Sequence, residues 1–92
     1  MSIEIIQAGS KNYPTITYDP DEDILRITGR SIAERPEVVY NPLEEWIRSH
    51  LSRYSQLTLI IFLEYINSGS SKALRDVLRM ISTYRAPRYR VR

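Results

Sequence analysis

Polar and apolar positions alternate in two short stretches near the start of the chain. Thr15 to Tyr18 and Ile24 to Thr28 both show this alternation, and the acidic run Asp19 to Asp23 separates them. Alternation on both sides of a polar turn predicts a β-hairpin. Ile3 to Gln7 is predicted to form a further short strand ahead of the hairpin, and Gly29 is predicted to end it.

Apolar residues next recur with the spacing of a helix. The start of this helix is indicated by three residues with the expected preferences. Asn41 suits the N-cap, Pro42 the first helical position and Glu44 the third. The sequence therefore predicts that the first helix begins at Pro42. Its predicted buried face consists of Leu43, Trp46, Ile47, His50, Leu51 and Tyr54.

A third kind of pattern follows, because Leu57 to Ile66 is apolar with no charge before Glu64. Such a run is typical of a central strand covered on both faces, joined to Ile24–Thr28 by a parallel crossover. A second helix is predicted to start near Ser70 or Ser71. Its predicted buried stripe consists of Leu74, Val77, Leu78, Ile81 and Tyr84.

These elements predict a small single domain of the α/β (α+β) class, spanning residues 1–87, with the order β-β-β-α-β-α. The simplest architecture is a mixed β-sheet with both helices packed on it. Residues 88–92 form a basic C-terminal end that alternates like the start of a truncated strand, so the sheet is expected to lack its last strand. An open sheet edge of this kind predicts pairing into a homodimer.

Composition narrows the class of protein. The chain has 92 residues, of which 42% are hydrophobic and 26% are charged, which suits one globular core. The absence of cysteine excludes disulfides and cysteine-based zinc sites and fits a reducing compartment. Met1 to Glu4 does not resemble a signal peptide, and Leu59 to Leu63 is too short to cross a membrane. We therefore expect a cytoplasmic protein that does not bind membranes.

The net charge of +2 arises at one end of the chain. Arg85, Arg88, Arg90 and Arg92 are clustered there, and the remaining sequence is weakly acidic. No basic and aromatic pattern continues upstream, so nucleic-acid binding is not expected.

Neither catalysis nor metal binding is favoured by the sequence. His50 is the only histidine and lies on the apolar face of the first predicted helix, which indicates a packing role. The acidic run Asp19 to Asp23 begins like a calcium loop, but Ile24 and Arg30 occupy the positions that require Gly and Glu. We therefore interpret it as a solvated turn and expect no enzyme activity, no metal and no cofactor.

The most informative stretch is the hydroxyl-rich loop from Asn67 to Lys72, between a predicted strand and a predicted helix. Free N–H groups and the positive end of a helix dipole can hold a phosphate there, on a ligand or on a serine. Ser70 or Ser71 is expected to cap the helix, whereas Ser68, a turn earlier, is expected to be exposed. Gly69 alone does not make a nucleotide-binding loop.

Several segments, taken in their order along the chain, resemble one family. The sequence is similar to the SiaC family of bacterial regulatory phosphoproteins over most of residues 5–84. The most specific likeness is Tyr65-Ile66-Asn67 followed by Ser68 and the rest of the loop. The matching segments are Gly29-Arg30-Ser31, Pro36-Glu37, Tyr40-Asn41-Pro42-Leu43 with Trp46-Ile47, and Leu63 to Lys72.

The resemblance implies a fold similar to anti-sigma-factor antagonists and a switch between partners in place of catalysis. In that family a kinase phosphorylates a threonine directly after the loop asparagine, and a PP2C-type phosphatase reverses the reaction. The unphosphorylated form binds and activates a diguanylate cyclase, which makes cyclic di-GMP. The matching position in this chain is Ser68, and Asn67, Gly69, Ser70, Ser71 and Lys72 would support the phosphate.

Two other functions remain open at this level. An anti-sigma-factor antagonist would use the same loop on a different partner. A domain that binds a small phosphorylated ligand would hold it at Gly69 to Lys72.

Overall fold

Five strands and two helices make up the part of the chain that the computed structural model describes, residues 3–54, 57–83 and 88–91. In chain order they are β1 (Glu4–Gln7), β2 (Thr15–Asp19), β3 (Ile24–Ser31), α1 (Glu37–Arg53), β4 (Thr58–Ile66), α2 (Ser68–Ile81) and β5 (Arg88–Val91). The strands form one mixed sheet in the order β1-β2-β3-β4-β5.

The predicted hairpin and crossover are both present. Strands β2 and β3 pair in antiparallel fashion, with Thr15 opposite Thr28 and Asp19 opposite Ile24. Strand β4 then pairs with β3 in parallel, with α1 in the connection between them. The predicted fold class and the order β-β-β-α-β-α are therefore confirmed.

Strand β5 extends this order by one element. It runs parallel to β4, with Arg88 opposite Thr58 and Val91 opposite Ile61. The segment interpreted as the start of a truncated strand is thus a paired strand, and among the described residues β1 and β5 form the two edges of the sheet. Homodimer formation through an edge stays a prediction.

The core lies between the two helices and one face of the sheet. Most of the predicted helix faces are buried, although Trp46 and Leu78 are only partly buried and Tyr54 is 58% exposed. Tyr84 lies outside the described residues. The buried apolar side chains of the sheet strands and helices are Ile16, Leu25, Ile27, Leu59, Ile61, Val39, Tyr40, Leu43, Ile47, Leu51, Leu74, Val77, Met80 and Ile81.

The prediction that β4 is covered on both faces is wrong. Leu59 and Ile61 are buried against the helices, but Phe62 and Tyr65 are 57% and 61% exposed. Both helices pack on the same side of the sheet, so the other side of β4 has no helix over it within the described residues. A run of apolar residues does not distinguish these cases, because it has no polar positions to mark the open face.

The predicted start of the first helix is also wrong. Helix α1 begins at Glu37, with Pro36 as its N-cap, and Pro42 lies inside the helix. An internal proline removes one helical hydrogen bond, which favours breaking the helix there. Here the turn before Pro42 buries Val39 and Tyr40, each only 2% exposed. The Tyr40 hydroxyl also shares a buried 2.6 Å hydrogen bond with that of Ser31, and these contacts offset the lost bond.

Two glycines provide a matched test of the backbone. Gly29 has a φ of 100°, which L side chains rarely adopt, so Gly29→Ala should lower the free energy of unfolding by about 1–2 kcal/mol. Gly69 lies in α2, and a Cβ there would meet the Pro36 Cγ at an ordinary 3.4 Å. Gly69→Ala should therefore leave the stability unchanged or raise it by up to about 1 kcal/mol. Urea denaturation measures both, and equal effects would contradict the strained conformation of Gly29.

Candidate phosphoacceptor loop

Asn67 joins the two loops at the ends of the parallel strands β3 and β4. Its main-chain N–H donates to the Ser31 carbonyl at 3.0 Å. Its side-chain Nδ2 donates to the Ala33 carbonyl, also at 3.0 Å. The connection between β3 and α1 is therefore fixed directly against the start of α2.

Asn67 is also the N-cap of α2. Its Oδ1 accepts the Ser70 N–H at 2.8 Å, and its carbonyl accepts the Ser71 N–H at 2.9 Å. The interpretation of Ser70 or Ser71 as the cap is wrong. A residue whose side chain caps a helix typically has non-helical backbone, which Asn67 has (φ −85°, ψ 172°), whereas both serines lie within the helix.

The serines of the loop differ in accessibility. Ser70 is 0% exposed, and among the described residues its Oγ has no hydrogen-bond partner. Ser71 is half-buried, and Ser68 is exposed. Of these three serines, only Ser68 is exposed to solvent.

Ser68 is the first residue of α2, not a residue one turn ahead of it as expected. Lys72 follows four residues later and is also exposed. Residues four apart on a helix lie on the same face, so the Lys72 ammonium can reach a charge on Ser68. The structure therefore brings the predicted acceptor and its predicted cation together on one side of the helix N-terminus.

Exposed apolar side chains lie in the elements next to Ser68. Tyr65 and Ile66, at the end of β4, are 61% and 40% exposed, and Val38, in the first turn of α1, is 51% exposed. The Arg30 guanidinium lies 5.1 Å from the centre of the Tyr65 ring. Large exposed apolar side chains of this kind are candidates for contact with another protein. Sequence reasoning missed this surface because β4 was expected to be covered.

A carboxylate borders the loop at the start of α1. A hydrogen bond from its own main-chain N–H and one from the Arg35 guanidinium at 3.3 Å hold the pKa of Glu37 below its usual value. Gly69 lies close to Pro36, the residue before Glu37. The N-termini of the two helices are thus neighbours, and each presents the positive end of its dipole at this end of the sheet.

His50 and the acidic turn lie at the other end of α1. His50 is buried, its ring stacks on Trp46 at 5.0 Å, and its Nε2 lies 3.1 Å from Asp23 Oδ1. The same oxygen accepts a 2.6 Å hydrogen bond from the Tyr18 hydroxyl. Burial is the main cause that raises the pKa of Tyr18, with this bond second. The packing role predicted for His50 agrees with its burial, but Asp23 is not simply solvated.

The comparisons identify the family. The sequence profile of the SiaC family regulatory phosphoproteins matches residues 7–92. The chain belongs to the SiaC family. This confirms the resemblance from sequence, and comparison with curated proteins gives no match.

Solved SiaC structures have the same fold. Two structures of SiaC of Pseudomonas aeruginosa, one of them the apo form, are similar over 99% of this chain and 78% of theirs. Both are 25% identical to it, with TM-scores of 0.84 and 0.83. A third match is the crystal structure of the diguanylate cyclase SiaD in complex with its activator SiaC, also from Pseudomonas aeruginosa. It is 26% identical and covers 82% of this chain and 62% of that one, with a TM-score of 0.74.

The described residues contain neither a membrane-spanning helix nor a cluster of metal-binding side chains. Neither helix is long and apolar enough to cross a membrane. In the same part of the chain, no group of three or more His, Asp or Glu side chains is placed to hold a metal ion.

The capping assignment is tested by three alanine variants. Asn67→Ala should lower the free energy of unfolding by about 1–2 kcal/mol, because the Ser70 N–H loses its acceptor. Ser71→Ala should change it by less than about 0.5 kcal/mol, the usual effect of a substitution that breaks no such contact. Ser70→Ala should be neutral or stabilising, since it removes a buried hydroxyl without a partner. Denaturation curves measure all three, and a larger loss for Ser71→Ala than for Asn67→Ala would contradict the assignment.

Proposed function

We propose that the unphosphorylated protein binds and activates a diguanylate cyclase, and that phosphorylation of Ser68 blocks this binding. The supporting observation is the exposed Ser68 hydroxyl at the start of α2, next to exposed apolar side chains, in a SiaC-family regulatory phosphoprotein. The similarity to SiaC structures, one of them in complex with the cyclase SiaD, supports the choice of partner.

In this proposal the protein has no catalytic activity of its own. A serine/threonine kinase adds the phosphate to Ser68, and a PP2C-type phosphatase removes it. We place the exchange in the cytoplasm, where a kinase finds ATP.

The fold itself tolerates the phosphate. Phosphorylation adds about −1.5 to −2 charges at neutral pH. At the first position of α2 this charge meets N–H groups that have no acceptor within the helix, and it lies one turn from Lys72. The helix dipole alone stabilises such a charge by about 0.3–1 kcal/mol. Phosphorylation of Ser68 should therefore leave the fold intact.

The same charge is unfavourable when a partner covers it. Tyr65, Ile66 and Val38 offer apolar contacts, so a cyclase docked on them would take the phosphate out of water. Removing a charged group from water costs several kcal/mol, and the single charge of Lys72 does not balance a phosphate of about −1.5 to −2. Each 1.4 kcal/mol is a tenfold change in affinity. Phosphorylation should therefore weaken binding by about a hundredfold or more.

Variants of Ser68 test the switch. Ser68→Ala should bind a diguanylate cyclase from the same genome like the unmodified protein, and protein carrying phosphoserine at position 68 should bind about a hundredfold more weakly. Ser68→Asp should fall between them, because it carries a smaller charge. Calorimetry measures the affinities, and the synthesis of cyclic di-GMP measures activation.

A charge placed elsewhere is the control. Ser52 is exposed near the other end of α1, a helix of 17 residues and thus about 25 Å long. Ser52→Asp should leave cyclase binding unchanged. Equal affinities for the unmodified and phosphorylated forms would refute the proposal, as would loss of binding in Ser52→Asp at unchanged stability.

Val38 tests the proposed contact surface without touching the loop. Val38→Glu should weaken cyclase binding by tenfold or more, because it buries a charge in the interface. It should not lower stability, since an acidic residue in the first turn of a helix interacts favourably with the dipole. Val38→Ala, which only removes apolar area, is the milder control. Full binding by Val38→Glu would exclude this part of α1 from the interface.

A further inference from the structure

A concave surface with aromatic walls lies at the end of α1 opposite to Ser68. Trp46 contacts Tyr18 with ring centres 4.8 Å apart, and Tyr54 contacts His50 at 5.0 Å. Together with His50, which stacks on Trp46, these rings line a cavity of about 290 Å³ that is open to solvent. We call it the aromatic pocket.

The base of the aromatic pocket is fixed by internal hydrogen bonds. Asp23 contacts both the Tyr18 hydroxyl and His50 Nε2, as described above, so these polar groups are already engaged. The Trp46 indole N–H donates to Glu4 Oε1 at 3.0 Å across the rim. The rings are therefore held in place before any ligand arrives. His50 covers one face of Trp46, and the ring surfaces that border the cavity are left for contact.

The charges around the aromatic pocket are mainly negative. Glu4 lies in its wall, and Pro20, another wall residue, belongs to the acidic turn Asp19 to Asp23. Arg53 lies in the wall as well, and the lining also includes His50, whose Nε2 faces the Asp23 carboxylate at 3.1 Å. Aromatic faces within a negative field attract cations, and the quadrupole of each ring adds to this attraction.

We propose that the aromatic pocket receives an arginine or lysine side chain from a basic segment of a protein partner. The cationic head would lie over the Trp46 and Tyr54 rings, with Glu4 as its counter-ion. This inference is independent of the function proposed for Ser68.

Two observations favour a peptide over a free small cation. The cavity is open and lies at the small end of the range for small-molecule sites, so it would leave much of a free ligand in water. In addition, Asp21 and Glu22 lie in the acidic turn but outside the cavity lining, where they would face the neighbouring residues of a basic segment. A single small cation in the pocket would not use them.

The sole tryptophan of the chain, Trp46, provides the measurement. A capped peptide with three arginines separated by glycines should change its fluorescence in a saturable manner. The same peptide with glutamine in place of arginine should not. N-acetylarginine amide, a single free cation, should bind at least tenfold more weakly than the arginine peptide, and raising the salt concentration should weaken the peptide further.

Four variants distinguish the proposed site from nonspecific binding of the peptide. Glu4→Gln and Tyr54→Leu should each weaken the arginine peptide about two- to fivefold, the effect of one exposed ion pair or cation–π contact. Asp21→Asn combined with Glu22→Gln should weaken the peptide but not N-acetylarginine amide. Arg53→Gln should strengthen the peptide, because it removes a repulsive charge. Urea denaturation checks that each variant is folded.

Specific outcomes would overturn the inference. Equal binding of the glutamine peptide would show that the surface is merely apolar. Binding of N-acetylarginine amide as tight as that of the peptide would assign the pocket to a small molecule. Weaker peptide binding by folded Arg53→Gln would show that Arg53 contributes a contact to the peptide, which contradicts the proposed charge complementarity.

Discussion

The side chain of Asn67 is the contact on which the arrangement of the candidate site depends. Through two side-chain and two main-chain hydrogen bonds, Asn67 ties the end of β3 and the following loop to the first turn of α2. Because β3 and β4 are parallel, both of their carboxyl ends lie at the same end of the sheet. One residue therefore sets where Ser68 is presented and what lies around it.

Much of this fold was predictable from local patterns, since hairpin alternation and helical spacing depend on neighbours in sequence. Strand β4 shows the limit. Its apolar run signals a strand but not how many of its faces are covered, and that depends on both helices packing on one side of the sheet. The position of Pro42 shows another limit, because the burial of Val39 and Tyr40 outweighs a local rule that would start the helix later.

The sequence indicated the residues of the candidate phosphoacceptor loop, but it did not assign the helix cap to the correct one. The sequence indicated a phosphate-compatible loop and singled out Ser68, yet it assigned the cap to serines that lie inside the helix. Both asparagine and serine are good caps, so composition alone does not choose between Asn67 and its neighbours. The choice is made by Ala33, distant in sequence, whose carbonyl accepts the second hydrogen bond of the Asn67 amide. The aromatic pocket was not predicted for the same reason, because its walls come from β2 and α1, which are distant in sequence.

The position of Ser68 within α2 also has a kinetic consequence. An enzyme that requires its substrate segment in an extended conformation can act only after the first turn of α2 has opened. Opening breaks the capping bonds of Asn67, each worth about 1 kcal/mol, so roughly one molecule in ten to a hundred is open at a time. If Ser68 is phosphorylated as proposed, such an enzyme would act on this minor population. In the proposed switch, the strength of the asparagine cap would then limit the rate of phosphorylation, separately from how tightly either form binds a partner.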